Sequence, residues 1–196
     1  LLARSASSAS TWGLRHIARR PAANMPGKIA LKLDPQIISE SMGKITEGSI
    51  IVVGTNGKTT ITNMIADALE RQGKTVACNR TGANLAYGVA TTLLQTKGSV
   101  QWGVFESDEL WLAHTLPQVQ ASYVLLLNLF RDQLDRCGEI DRVQDAIVQA
   151  LSESPDTVLL YNADDPLCVM VALRVSNKSI AFGVGEDLHQ QQNMVS

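Results

Sequence analysis

The sequence predicts an α/β fold, a doubly wound and mostly parallel sheet flanked by helices, with a P-loop at its first strand. Three observations carry this. Short apolar runs alternate with helical patterns of about 10–15 residues, the signature of βαβ units. The runs VLLLNL and TVLLYN are apolar throughout, which suits central strands covered on both faces. Between the first regular strand and its helix stands a glycine-bracketed segment, GTNGKTT.

Taken in order, residues 1–48 read as a basic leader helix followed by a docking segment. Pro21, Pro26 and Gly27 punctuate it, and Pro35 precedes a short helix expected at 36–43. Residues 49–185 form the α/β domain. Ser49–Val53 is its first buried strand, ending at Gly54, and a helix runs from Lys58 to about Gln72, closed by Gly73. Strands follow at Thr75–Asn79, Val100–Glu106, Ser122–Leu129, Thr157–Asn162 and Ser179–Gly183, with helices at 84–95, 108–115, 139–152 and 166–175. Residues 186–196 are polar and Gln-rich and read as a linker towards a further domain. No internal repeat is visible.

Composition bounds the function. The 196 residues are 45% hydrophobic and 18% charged with a net charge of -2, which is ordinary globular usage and gives no reason to expect a nucleic-acid partner. No run of about 18 apolar residues exists to span a membrane. The charge is uneven: Arg4, Arg15, Arg19, Arg20, Lys28 and Lys32 precede the first acid, Asp34. That leader either touches an anionic lipid surface or is a solvated, frayed segment. The Ser- and Ala-rich stretch 5–10 behind Arg4 has some transit-peptide character. Cys78, Cys137 and Cys168 are odd in number and contain no CxxC pair, so they read as reduced, buried thiols.

The segment Gly54, Thr55, Asn56, Gly57, Lys58, Thr59 and Thr60 has the chemistry a triphosphate needs. Glycines allow a tight turn and let several main-chain N–H groups converge on the phosphate oxygens. The following helix offers its positive N-terminal end. Lys58 supplies a mobile charge for the β- and γ-phosphates, and the Thr59 hydroxyl is placed to ligate Mg²⁺. The segment departs from a full GxxxxGK[ST] pattern, because Val52 stands where the first glycine is wanted.

Four stretches resemble the Mur ligase family, ATP-dependent enzymes that form amide bonds. They are PGKIALKLDP (Pro26–Pro35), GTNGKTT (Gly54–Thr60), NLFRDQLDRCGE (Asn128–Glu139) and NADDP (Asn162–Pro166), and together the likeness covers residues 26 to 183. The compact GTNGKTT is the family's own form of the loop. The third stretch is the most specific. Family members that add amino acids read Asp-His-Leu-Asp there, whereas this chain has Asp132-Gln133-Leu134-Asp135. It also has no lysine between Lys97 and Lys178, where those members carry a carbamylated lysine for a second metal. The resemblance therefore narrows to the branch that amidates lipid II with ammonia.

That resemblance implies the remaining assignments. ATP is the phosphoryl donor, with Mg²⁺ held by Thr59 and Glu106. Lys58 and Glu106 are the candidate catalytic residues, and residues 49–185 are a Mur-type ATP-binding domain. Glu106 ends a strand, where open α/β sheets place ligand groups, although Ser107, Asp108 and Glu109 also suit a helix start. Asn162 and Asp165 are the candidate adenine contacts. The alternative is turn chemistry, with Asp165 an N-cap before Pro166. Asp132 is either functional or a helix cap, and Asp135 pairs with Arg131 or Arg136. Arg80, Thr81 and Asn84 follow the second strand and meet substrate or the γ-phosphate, with a helix cap the alternative for Asn84. No chemistry falls on His16, His114 or His189, and Trp12, Trp102 and Trp111 read as packing residues.

The implied reaction activates the α-carboxylate of D-glutamate in lipid II as an acyl phosphate. Ammonia released from glutamine by a separate glutaminase subunit, GatD, then attacks it. A zinc ribbon, and with it Zn²⁺, is expected only downstream of residue 196, together with a C-terminal domain, so residues 1–196 alone are expected to be inactive. The implied location is cytoplasmic, at the inner face of the membrane. Two alternatives stand: another Mur-type ligase such as a folylpolyglutamate synthase, and a nucleotide-binding subunit without chemistry.

Overall fold

A computed structural model describes residues 25–130 and 139–184. The basic leader, Asp132, Gln133, Asp135, Cys137 and the polar stretch 186–196 lie outside the described residues. The elements in order are α1 (Met25–Leu33), α2 (Ile37–Met42), β1 (Ile45–Val53), α3 (Lys58–Arg71), β2 (Val76–Cys78), α4 (Ala86–Gln95), β3 (Val100–Glu106), α5 (Leu112–Val119), β4 (Tyr123–Leu126), α6 (Glu139–Ser152), β5 (Val158–Asn162), α7 (Pro166–Arg174) and β6 (Ser179–Phe182).

The six strands form one sheet in the order β2-β3-β1-β4-β5-β6, and every pairing is parallel. Along β1 the side chains alternate between two layers. Ile51 and Val53 enter a large apolar cluster with Phe105, Val124, Leu126 and Leu159, covered by α1, α2 and α4 to α7. Val52 is fully buried outside that cluster, and α3 packs on β1, β2 and β3 without joining it. Helices thus cover both faces, the doubly wound arrangement that the unbroken apolar strands require.

From β1 the chain runs past β3 to β2, and from β3 it runs past β1 to β4. The order therefore reverses between β1 and β4. In open α/β sheets that crevice, at the carboxyl ends of the strands, is where ligands bind. Gly54, Glu106 and Asn162 all stand at that edge.

The helix closing the first βα unit ends as expected. Gly73 and Lys74 donate their N–H groups to Glu70 O (2.9 Å) and Leu69 O (3.1 Å), which satisfies the last carbonyls of α3.

Three expectations need correction. The first strand begins at Ile45 rather than Ser49, so residues 45–48, read from the sequence as docking segment, belong to the sheet. Pro26 and Gly27 do not interrupt the chain but lie in the first turn of α1, where proline's missing N–H costs nothing. Gly27 is small because α1 rests directly on α4. Its N–H donates to Thr91 Oγ1 (2.9 Å), and a Cβ there would run into the Tyr87 carbonyl. The helix expected at 108–115 instead begins at Leu112 and continues through Pro117 to Val119. Residues 107–111 form a turn, in which Asp108 Oδ1 accepts from Leu110 N–H and Asp108 O accepts from Trp111 N–H. Such aspartate turns compete locally with helix.

Candidate nucleotide site at the carboxyl edge of the sheet

The loop between β1 and α3 is shaped by two glycines with positive φ, Gly54 (φ 144°) and Gly57 (φ 84°). Gly57 immediately precedes α3 in the left-handed region, which side chains rarely adopt. Gly54 passes so close to the chain beyond β4 that a Cβ would sit 3.0 Å from Leu127 Cβ and 3.1 Å from Asn128 N. Asn56, Gly57 and Thr60 are exposed, so the loop faces solvent at the positive end of α3. Thr60 is the third residue of α3.

Lys58 opens α3 and folds back over this loop. Its ammonium donates to Gly54 O (2.5 Å) and pairs with Glu109 Oε1 at 3.3 Å. Thr59 lies beside it. A Cβ on Gly82 would stand 3.3 Å from Thr59 Oγ1 and 3.7 Å from Glu106 Oε1, so these two oxygens border one small space that glycine keeps open. The Glu106 side chain is 1% exposed, and its Oε2 has no hydrogen-bond partner. A buried carboxylate oxygen without a donor is costly, and a cation beside it removes the cost.

These residues fit Mg²⁺. A hydroxyl and a carboxylate are the hard oxygen ligands that ion takes, and it normally completes its shell with phosphate oxygens and water. Among the described residues no group of three or more His, Cys, Asp or Glu side chains is placed to hold a metal, so a closed all-protein site is not built there.

Two asparagines that the sequence reading left aside fix this geometry. Asn128, just beyond β4, accepts from Asn56 N–H through its Oδ1 (2.9 Å) and donates from Nδ2 to Asn56 O (3.0 Å). Its own carbonyl accepts from Thr55 N–H (3.0 Å), and Thr55 Oγ1 accepts from Phe130 N–H (3.1 Å). The loop is therefore braced on both sides of Asn56. Asn79, buried at the end of β2, accepts from Glu106 N–H (2.9 Å) and donates to Glu106 O (3.0 Å) and Ala83 O (2.8 Å). It ties the buried glutamate to the loop that carries Gly82. The signal for both was present: Asn79, Asn128 and Asn162 each fall within two residues of a strand's carboxyl end.

Asn162 and Asp165 were expected at the adenine. Asn162 instead donates to Leu127 O (3.0 Å) and accepts from Asp164 N–H (3.0 Å), so both sides of its amide are engaged. Asp165 is 8% exposed. Its Oδ1 caps α7 at Leu167 and Cys168, and its Oδ2 accepts from Leu129 N–H (2.8 Å). Both therefore hold the 127–129 segment that braces the glycine loop, and the half-buried Asn162 keeps a second amide hydrogen and a second oxygen lone pair.

Arg80 is turned away from the loop, paired with Asp67 (2.7 Å) and Glu70 (2.9 Å) on α3. Burial pushes the Cys78 thiol up to about 11 and the Cys168 thiol to about 12, so neither offers a thiolate near neutrality.

Asn128→Ala would free the loop on both sides of Asn56. The expected result is a rise in the KM for ATP of about tenfold, with the melting temperature lowered far less than by a core truncation. Steady-state kinetics and thermal melts of the whole protein check this.

A six-stranded parallel sheet with a glycine loop at its order reversal defines a nucleotide-type α/β domain, and comparison with known proteins specifies it. The model of the Mur ligase middle domain matches residues 52–195, and the chain belongs to the Mur ligase family. Among curated relatives, it is 38% identical over 146 residues to the MurT subunit of lipid II isoglutaminyl synthase (glutamine-hydrolyzing) from Streptococcus pneumoniae. That match covers 73% of this chain and 32% of the relative. It is also 32% identical over 168 residues to MurT from Staphylococcus aureus, covering 85% of this chain and 38% of the relative. The chain thus spans about a third of the length of the curated relatives it matches. Among solved structures, MurF from Acinetobacter baumannii superposes with a TM-score of 0.68 at 23% identity, over 81% of this chain and 35% of that one. MurF from Thermotoga maritima, solved in complex with ADP, gives 0.65 at 21% identity over 77% of this chain and 36% of that one. These two share the fold.

Proposed function

We propose that this chain is the ATP-binding part of the synthetase subunit of a lipid II isoglutaminyl synthase. In this reading it activates the α-carboxylate of D-glutamate in lipid II for amidation. The observation that carries the nucleotide role is the convergence of Lys58, Thr59 and the unpartnered Glu106 carboxylate at one sheet edge. The likeness to MurT supports the branch, and so does Gln133 in place of the histidine expected of amino-acid-adding relatives.

Reaction requires a carboxylate oxygen to attack the γ-phosphorus of ATP, with ADP leaving. Ammonia nitrogen then attacks the acyl carbon, and phosphate leaves. The first step brings two anions together. Lys58 offsets that charge, and the amides of residues 57–60, at the open end of α3, are proposed to hold the phosphates, while those of Thr55 and Asn56 stay bonded to Asn128. Thr59 and Glu106 would hold Mg²⁺, which supplies further charge neutralisation at the phosphates. Ammonia is proposed to come from a glutaminase subunit of the GatD type, with lipid II met at the cytoplasmic face of the membrane. No helix among the described residues is long and apolar enough to cross a membrane.

A subunit that merely binds nucleotide has no use for an unneutralised buried carboxylate beside the phosphate loop, so Glu106 favours chemistry over scaffolding. The test is a reconstituted complex of the whole synthetase and its glutaminase, supplied with lipid II, glutamine and ATP. The expected result is glutamine-dependent phosphate release with an amidated stem peptide. Phosphate release that needs an amino acid and ignores glutamine and ammonia would assign the chain to another Mur-type ligase instead.

A further inference from the structure

We propose that Glu109 is a positioning residue for Lys58: its carboxylate stands in for a phosphate while the loop is empty and must give up the ammonium when nucleotide enters. The inference rests on the nucleotide reading above. Lys58 Nζ lies 3.3 Å from Glu109 Oε1, and the two side chains are only 14% and 12% exposed, so this is no solvated surface pair. The same ammonium donates to Gly54 O at 2.5 Å and approaches Thr55 O at 3.5 Å. All of its recorded partners therefore lie at the mouth of the phosphate loop.

The physical need is plain. Lys58 is the first residue of α3, so its own charge adds to the positive end of the helix. With no phosphate present, two like fields converge on a largely buried spot. Glu109 offsets both. It rides on the turn between β3 and α5, which is held at two points: Asp108 N–H donates to Asn84 O (2.8 Å), and Asp108 Oδ1 accepts from Leu110 N–H (3.0 Å). Glu109 is thus three residues beyond Glu106, on a hydrogen-bonded turn that brings its carboxylate to Lys58. The two glutamates divide the work. Glu106 borders the space beside Thr59 with its Oε1 and keeps its buried Oε2 without a partner, and Glu109 holds the lysine.

Exchange has a thermodynamic signature. Only the fraction of protein whose lysine is released is ready to bind, so the apparent affinity is reduced by that fraction. Once phosphates arrive, the freed carboxylate also repels them. Both effects weaken nucleotide binding, and removal of the charge relieves both. The nucleotide-free variant, by contrast, lacks the one carboxylate that pairs with Lys58 among the described residues and should be less stable.

The experiment uses the whole synthetase with Mg·ADP as the probe, measured by calorimetry, and melting of the nucleotide-free protein alongside. Glu109→Gln is expected to bind Mg·ADP about threefold to tenfold more tightly than the parent, while the nucleotide-free protein melts at a lower temperature. Glu109→Ala is expected to move both quantities in the same directions. A purely structural role lowers stability and affinity together, so unchanged or weaker Mg·ADP binding by both variants overturns the proposal. If the parent itself binds no Mg·ADP, the nucleotide reading fails first and takes this inference with it.

Discussion

Replacing Lys58 by Met is expected to lower kcat/KM for ATP by about 10²–10³-fold, with the fold intact. Methionine keeps much of the lysine's apolar stem but carries no charge. What is lost is a mobile cation that already sits at the loop, bonded to Gly54 O and paired with Glu109. In the reaction that cation meets the charge developing at the γ-phosphate. The variant also leaves Glu109 facing the phosphates without a partner, which adds to the loss. The parent and variant should be compared by steady-state kinetics in the reconstituted complex, with thermal melts as the control for folding. A variant that retains activity within about threefold of the parent would show that the phosphates bind elsewhere.

Glu106→Gln is expected to move activity and stability in opposite directions. Glu106 is 1% exposed, and its Oε2 lacks any donor. Leaving such a group unsatisfied costs about 1–3 kcal/mol or more. An isosteric neutral amide reduces that cost, so the metal-free variant should melt above the parent by an amount on the order of 1 kcal/mol in stability. Mg²⁺ with nucleotide should then raise the melting temperature of the parent and leave the variant nearly unmoved, because ligand linkage stabilises only a protein that binds. ATP turnover should fall by about a hundredfold or more. A variant less stable than the parent without metal would mean that the carboxylate is satisfied by other means and has no cation to await.

Much of this domain was legible because parallel sheets write themselves as unbroken apolar runs. Val100–Glu106 and Glu139–Ser152 begin and end where the pattern places them. The loop was legible for a different reason: glycine, lysine and threonine at one strand-to-helix junction have few uses other than gripping phosphate. Strand ends were overrun where side chains take over from the ladder. β4 stops at Leu126 because Leu127 and Asn128 turn to serve Asn162 and the loop.

What stayed hidden depends on partners far away in sequence. Asn128 and Asn56 are 72 residues apart, and Asn79 and Glu106 are 27 apart. An asparagine after a strand looks the same in sequence whether it turns the chain or braces a distant loop. The start of α5 was misjudged because Ser107-Asp108-Glu109 has helix-start chemistry, yet Asp108 uses it to form a turn. That displacement is what brings Glu109 to Lys58. Asp165 was half legible: its cap of α7 followed from Pro166, but its second bond, to Leu129, did not.

The most direct test of the account replaces Mg²⁺ by Mn²⁺ in crystals of the whole synthetase with a non-hydrolysable ATP analogue, and locates the metal by its anomalous scattering. The account predicts a peak beside Thr59 Oγ1 and the Glu106 carboxylate, with the terminal phosphates against the amides of residues 57–60 and Lys58 drawn away from Glu109. A nucleotide bound elsewhere, with that loop empty and Lys58 still paired to Glu109, would contradict it.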